Sequence, residues 1–158
     1  MTQCCGKIPT EEEVGFIIQT TLEWVKRYGA MEQGNLGEQA ASTYAVQELK
    51  LRPEHFDKRL HGFDGVMRNS SGKLVIVEAK ATTASGMAAL GNTCHGREGS
   101  AEWVEYKATL MMDPSSSFYS PANAKIGEEI LRVGAKNVEF LVIHIDPSGT
   151  EIDVTKLR

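Results

Sequence analysis

His61-Gly62-Phe63-Asp64-Gly65-Val66-Met67 and Leu74-Val75-Ile76-Val77-Glu78-Ala79-Lys80 flank the polar run Asn69-Ser70-Ser71-Gly72, and the relation between the two stretches decides the fold. The second stretch opens on an apolar, mostly β-branched run, the composition of a buried strand. It ends in a carboxylate and an ammonium on alternate positions, which places both on one face. The polar run tolerates turn conformations, so the two stretches read as a β-hairpin. With Ser70-Ser71-Gly72 as a three-residue loop and Gly72 left-handed, paired residue numbers sum to about 142. Asp64 then lies opposite Glu78.

Directly paired residues share a face with β-carbons roughly 4.5–5.5 Å apart. Two carboxylates therefore converge, with Lys80 next along the same face. Charges on a core strand pair are costly for stability alone, which favours a functional reading. Carboxylates this close repel unless a cation lies between them, and hard oxygen ligands suit Mg²⁺ or Mn²⁺. Asp64 and Glu78 are thus candidate metal ligands. The structural alternative is a buried ion pair of Lys80 with one of the acids, which leaves two acids for one base.

Outside the hairpin, the 158 residues are 41% apolar and carry a net charge of −4, which fits one globular domain over 1–158 with residues 1–9 flexible. No dense Lys/Arg run supports tight nonspecific coating of nucleic acid. No stretch is apolar enough to span a bilayer, and the N-terminus lacks the regions of a secretory signal, so no membrane partner is expected. Cys4, Cys5 and Cys94 give neither metal spacing nor a disulfide framework, which points to a reducing compartment.

Thr10-Glu11-Glu12-Glu13 is a capping box ahead of apolar positions at helical spacing, predicting a helix over 10–28. A second helix is expected from Asn35 or Leu36 to about Lys50. Its Glu38 lies beside Ala40 and Ala41, and the residues alone read it as a first-turn carboxylate stabilised by the helix N-terminus. Residues 54–60 read as an edge strand and 82–99 as a long glycine-rich loop. Ser100 caps a third helix over 101–112. A fourth spans 122–133, with Ile126, Ile130, Leu131 and Val133 as its buried side. Strands follow at 138–145 and 151–154, around a turn at 146–149. This order predicts an α/β fold with a mixed central sheet flanked by helices.

An acid on one strand, a hairpin, then Glu-x-Lys closing an apolar strand resembles the PD-(D/E)xK nuclease superfamily, the restriction-endonuclease-like fold. Phe63 stands where the name-giving pattern has proline. The resemblance implies an α-β-β-β-α-β core, here with an added N-terminal helix and C-terminal strand. Over residues 30–112 the chain is also similar to nuclease domains of bacterial polymorphic and contact-dependent toxins. Gly34-Asn35-Leu36-Gly37-Glu38 resembles their opening helix motif, Gly62-Phe63-Asp64-Gly65-Val66 their Gly-x-Asp strand, and Ser100-Ala101-Glu102-Trp103 their Ser-x-x-Trp helix start.

What the resemblance implies is a Mg²⁺- or Mn²⁺-dependent nuclease acting on DNA or structured RNA. It would be a toxin or defence effector neutralised by an immunity protein, in the cytoplasm or delivered into that of a target cell. Asp64 and Glu78 would hold one or two ions, with the Ala79 carbonyl as a further ligand. Lys80 would orient the attacking water or stabilise transition-state charge, and Glu38 becomes a site residue. Trp103 reads as packing, His144 as a hydrogen-bonded core histidine, and Phe118-Tyr119-Ser120 as packing before base stacking. His61 reads as a strand-end histidine, and His95, Arg97 and Lys107 as solvated. The competing readings are a catalytically silent nuclease-fold module that binds nucleic acid or protein, and a small phosphatase, for which no motif speaks. Nothing in the residues sets an oligomeric state, a dimer included.

Overall fold

A computed structural model describes residues 17–19, 35–80, 90–145 and 152–158. Its centre is strand β4 (Leu74–Lys80), whose first five residues are buried. The chain reaches it through β1 (Ile17–Gln19), helix α1 (Asn35–Gln47), β2 (Arg52–Pro53) and β3 (Gly65–Arg68). After β4 come a short ribbon, β5 (Asn92–Thr93) and β6 (Gly96–Arg97), then helices α2 (Ala101–Met112) and α3 (Pro121–Val133). A 3₁₀ turn at Ala135–Asn137 leads into β7 (Glu139–Ile145), and β8 (Ile152–Lys156) ends the order.

The main sheet has the order β1-β8-β7-β4-β3-β2. β4 and β7 are parallel and the other neighbours antiparallel, so the sheet is mixed. A parallel pair needs a long crossover, and here the β5–β6 ribbon, α2 and α3 supply it. Alternation along each strand feeds two apolar layers. On one face Val66, Ile76, Phe140 and Val142 pack with Trp103, Val104, Ile126 and Ile130 of α2 and α3. On the other, Met67, Val75, Val77, Ile143 and Val154 meet Ala40, Ala41, Tyr44 and Ala45 of α1. The small residues of α1 permit that close approach. Gly127 does the same between α2 and α3, where an added Cβ would sit 2.5 Å from the Ala108 carbonyl.

The hairpin has the expected register: Gly65 pairs with Val77, Val66 with Ile76, Met67 with Val75 and Arg68 with Leu74. Gly72 has φ 79°, which a side chain would strain. Ser100 and Ser120 cap α2 and α3 by accepting from the Trp103 and Asn123 amides, at 3.2 and 3.0 Å.

Several expectations are corrected. Within the predicted 10–28 helix, residues Ile17–Gln19 form a strand paired with β8, Ile18 opposite Val154. Its β-branched residues cover an edge that β8 would otherwise present; the rest of that stretch, like residues 1–9 and the 146–149 turn, lies outside the described residues. The edge strand is Arg52–Pro53 rather than 54–60, and among the described residues the four-residue β3 is its only neighbour. Leu131 and Val133 are 39% and 40% exposed on the outer side of α3, while Ile126 and Ile130 are buried. Cys94 is disulfide-bonded, against the expectation that the cysteines give no disulfide framework. Among the described residues no helix is long and apolar enough to cross a membrane.

Candidate active site

Asp64 immediately precedes β3, one step beyond the last ladder pair, which brings it level with Glu78. Its Oδ2 accepts the Ala79 amide proton at 2.9 Å. Glu78 is 6% exposed on β4, and Lys80 follows it on the same face, Nζ to Oε1 at 3.6 Å. All three line a cleft of about 440 Å³ together with Glu38, His61, Ala79, Glu98, Trp103 and Lys107. The candidate residues Asp64, Glu78, Lys80 and Glu38 therefore meet in one place.

The electrostatics follow from burial. Desolvation first, and the Asp64 carboxylate second, push the Glu78 carboxyl up to about 9 against the pull of Lys80. Burial also raises Asp64, opposed by the Ala79 N–H, the charge of Lys58, the neighbouring Glu78 carboxyl and the charge of Lys80. Burial works against the Lys80 ammonium as well, but Glu78 and Glu98 outweigh it and hold its pKa above the usual lysine range. Lys80 is thus a fixed positive charge rather than a base.

The donor set fits a hard divalent cation. Among the described residues Glu78 Oε2 is buried with no hydrogen-bond partner, a costly state that a cation would relieve. Among the described residues no three His, Cys, Asp or Glu side chains are grouped to hold a metal. A cation here would take the two carboxylates and complete its shell with the Ala79 carbonyl and water, the habit of Mg²⁺.

Two neighbours have no motif in the sequence. Glu98, just after β6, binds Lys80 Nζ at 3.1 Å. Lys58 forms an ion pair with Glu38, which holds the first-turn carboxylate of α1 beside the cleft. Only the threading of the chain brings either residue here, so no local spacing announces them.

His61 lines the cleft with φ 61°, a conformation strained for a side chain. Lys107 donates to its carbonyl at 2.8 Å and lies 4.6 Å above the Phe118 ring; burial lowers its pKa. Lys107 is therefore built into the cleft wall rather than solvated. His95 stacks on Tyr106 at 3.5 Å, outside the cleft lining, and Arg97 is not among the lining residues either. Trp103 packs against Phe63 and Phe140, at 5.7 and 6.1 Å between centroids, and Phe118 packs on the same core. His144 is buried, 3.7 Å from Asp153.

Comparison with protein-family models, curated proteins and solved structures finds no match to this chain.

Proposed function

We propose that the chain is a Mg²⁺- or Mn²⁺-dependent nuclease of the PD-(D/E)xK type, hydrolysing phosphodiester bonds in DNA or structured RNA. One observation carries this reading: Asp64 and Glu78, whose buried Oε2 makes no hydrogen bond among the described residues, converge beside a fixed ammonium, Lys80, inside a polar cleft. A structural ion pair needs one acid for one base and does not explain the second acid. The proposed biological setting, a toxin or defence effector with an immunity partner, rests on the motif resemblance alone.

Asp64 and Glu78 would hold the cation, with Ala79 supplying a carbonyl. The bound ion would lower the pKa of water and neutralise phosphoryl charge. Lys80, kept protonated, faces the charge that develops on the phosphoryl oxygens. The Ala79 N–H fixes Asp64 so that its carboxylate does not swing away. Lys107 presents a second positive group on the cleft wall, suited to a substrate phosphate.

The test incubates purified protein with Mg²⁺ or Mn²⁺ and either plasmid DNA or total tRNA. Cleavage of one substrate, abolished separately by Asp64→Ala, Glu78→Ala and Lys80→Ala, is the expected result. No cleavage of either, or cleavage that survives these changes, would sink the assignment and leave a silent nuclease-fold module.

A further inference from the structure

Glu98 is held in place from several sides. The Gly91 amide donates to its Oε1 at 2.9 Å, and Lys80 Nζ donates to Oε2 and Oε1 at 3.1 and 3.3 Å. Its own amide donates to the Gly91 carbonyl at 2.9 Å. A Cβ on Gly91 would come within 2.9 Å of Oε1, so glycine there is a condition of the clasp. The next residue, Gly99, has φ 84° and lies so tightly on the core that a Cβ would meet Leu157 at 2.7 Å and Phe140 at 2.8 Å. Its carbonyl accepts from Arg158, and Ser100 then caps α2. Backbone, core and helix cap thus fix this carboxylate, which is no freely moving loop charge.

Lys80 stands closer to Glu98, at 3.1 Å, than to Glu78, at 3.6 Å. Glu78 Oε2 is buried and, among the described residues, makes no hydrogen bond. Building on the metal-site reading above, we infer that Glu98 is a positioning residue that draws the Lys80 ammonium away from Glu78 and so keeps the Asp64–Glu78 pair open to the cation. Without Glu98, Glu78 is the remaining carboxylate in reach of Lys80, and the lysine becomes an internal competitor for the metal site.

Titration calorimetry with MnCl₂ on the full chain tests this in wild type, Glu98→Gln, Lys80→Met and the double variant. Thermal melts confirm that each folds. Glu98→Gln should weaken Mn²⁺ binding about tenfold, the lower end of the effect of removing partners that orient metal ligands. Lys80→Met alone should bind at least as tightly as wild type. The double variant should return to within about threefold of Lys80→Met, a coupling that separates neighbours from independent sites. Gly91→Ala, which displaces the carboxylate without removing it, should weaken binding and be rescued by Lys80→Met in the same way. Unchanged binding in Glu98→Gln overturns the inference. A double variant as weak as Glu98→Gln also overturns it, making Glu98 a ligand in its own right. If wild type takes up no Mn²⁺, the metal-site reading itself falls and this one with it.

Discussion

Asp64 Oδ2 accepts the amide proton of Ala79 at 2.9 Å, so the first acid of the hairpin is fastened to the strand that carries the second. The bond crosses the pair at the point where the β3–β4 ladder ends. It holds two carboxylates together in a buried place where neither gains from the other's charge. That conflict makes the pair testable.

The metal-free protein should lose stability as pH rises. Glu78 ionises near its ordinary 4.5 in the unfolded chain but only at about 9 in the fold, chiefly through burial. Between these values the native state binds the extra proton, so stability falls with rising pH across that window. Glu78→Gln, which cannot ionise, removes this pH dependence. In EDTA, the wild-type Tm should fall by several degrees more than that of Glu78→Gln between pH 5.5 and 8.5, since ~1 kcal/mol moves Tm by about 2–4 °C at this size. Parallel pH curves for the two proteins would contradict the account.

Cation binding should release a proton. A Glu78 carboxyl that is protonated at neutral pH must ionise to become a ligand. Calorimetry near pH 7 in buffers of different ionisation enthalpy should show about one proton released per Mn²⁺, falling toward zero in Glu78→Gln, which should also bind weakly.

Lys80→Met should lower kcat by roughly 10²–10³-fold, the effect of removing one preorganised group that faces developing charge. KM should change little. Lys107→Met should do the reverse, raising KM with a smaller effect on kcat, because Lys107 stands on the cleft wall through its bond to the His61 carbonyl. Steady-state kinetics on a short labelled duplex separates the two.

Gly127→Ala should destabilise the fold by about 1–3 kcal/mol through overpacking, since the new Cβ would press on the Ala108 carbonyl. Urea melts give the value. Mn²⁺ affinity of the folded protein should not change, which distinguishes this damage from that of Gly91→Ala at the site.

The hairpin was legible because its signals are local: the run Leu74-Val75-Ile76-Val77, the turn residues through Gly72, and a register in which Val66 meets Ile76. Helix α2 was legible from the Ser100 cap and α3 from the spacing of Ile126 and Ile130, while the Ser120 cap of α3 emerges only in the structure. Strand β1 was not, because Ile17 and Ile18 carry a helical period and their partner Val154 lies at the other end of the chain. Tertiary pairing overrides local pattern there. Asp64, Glu78 and Lys80 could be placed from one motif, whereas Glu98 reaches the cleft only through the crossover, and Lys58 reaches Glu38 only through the segment between β2 and β3. The burial that pushes Glu78 up is likewise a property of the packed layers and not of its neighbours in sequence.

The most direct test is a crystal of the full chain soaked in MnCl₂, with anomalous scattering recorded at the manganese edge. The account predicts a peak about 2.1 Å from carboxylate oxygens of both Asp64 and Glu78, with Lys80 still on Glu98. A map with no peak there, or with the Lys80 ammonium seated between the two acids, would contradict it.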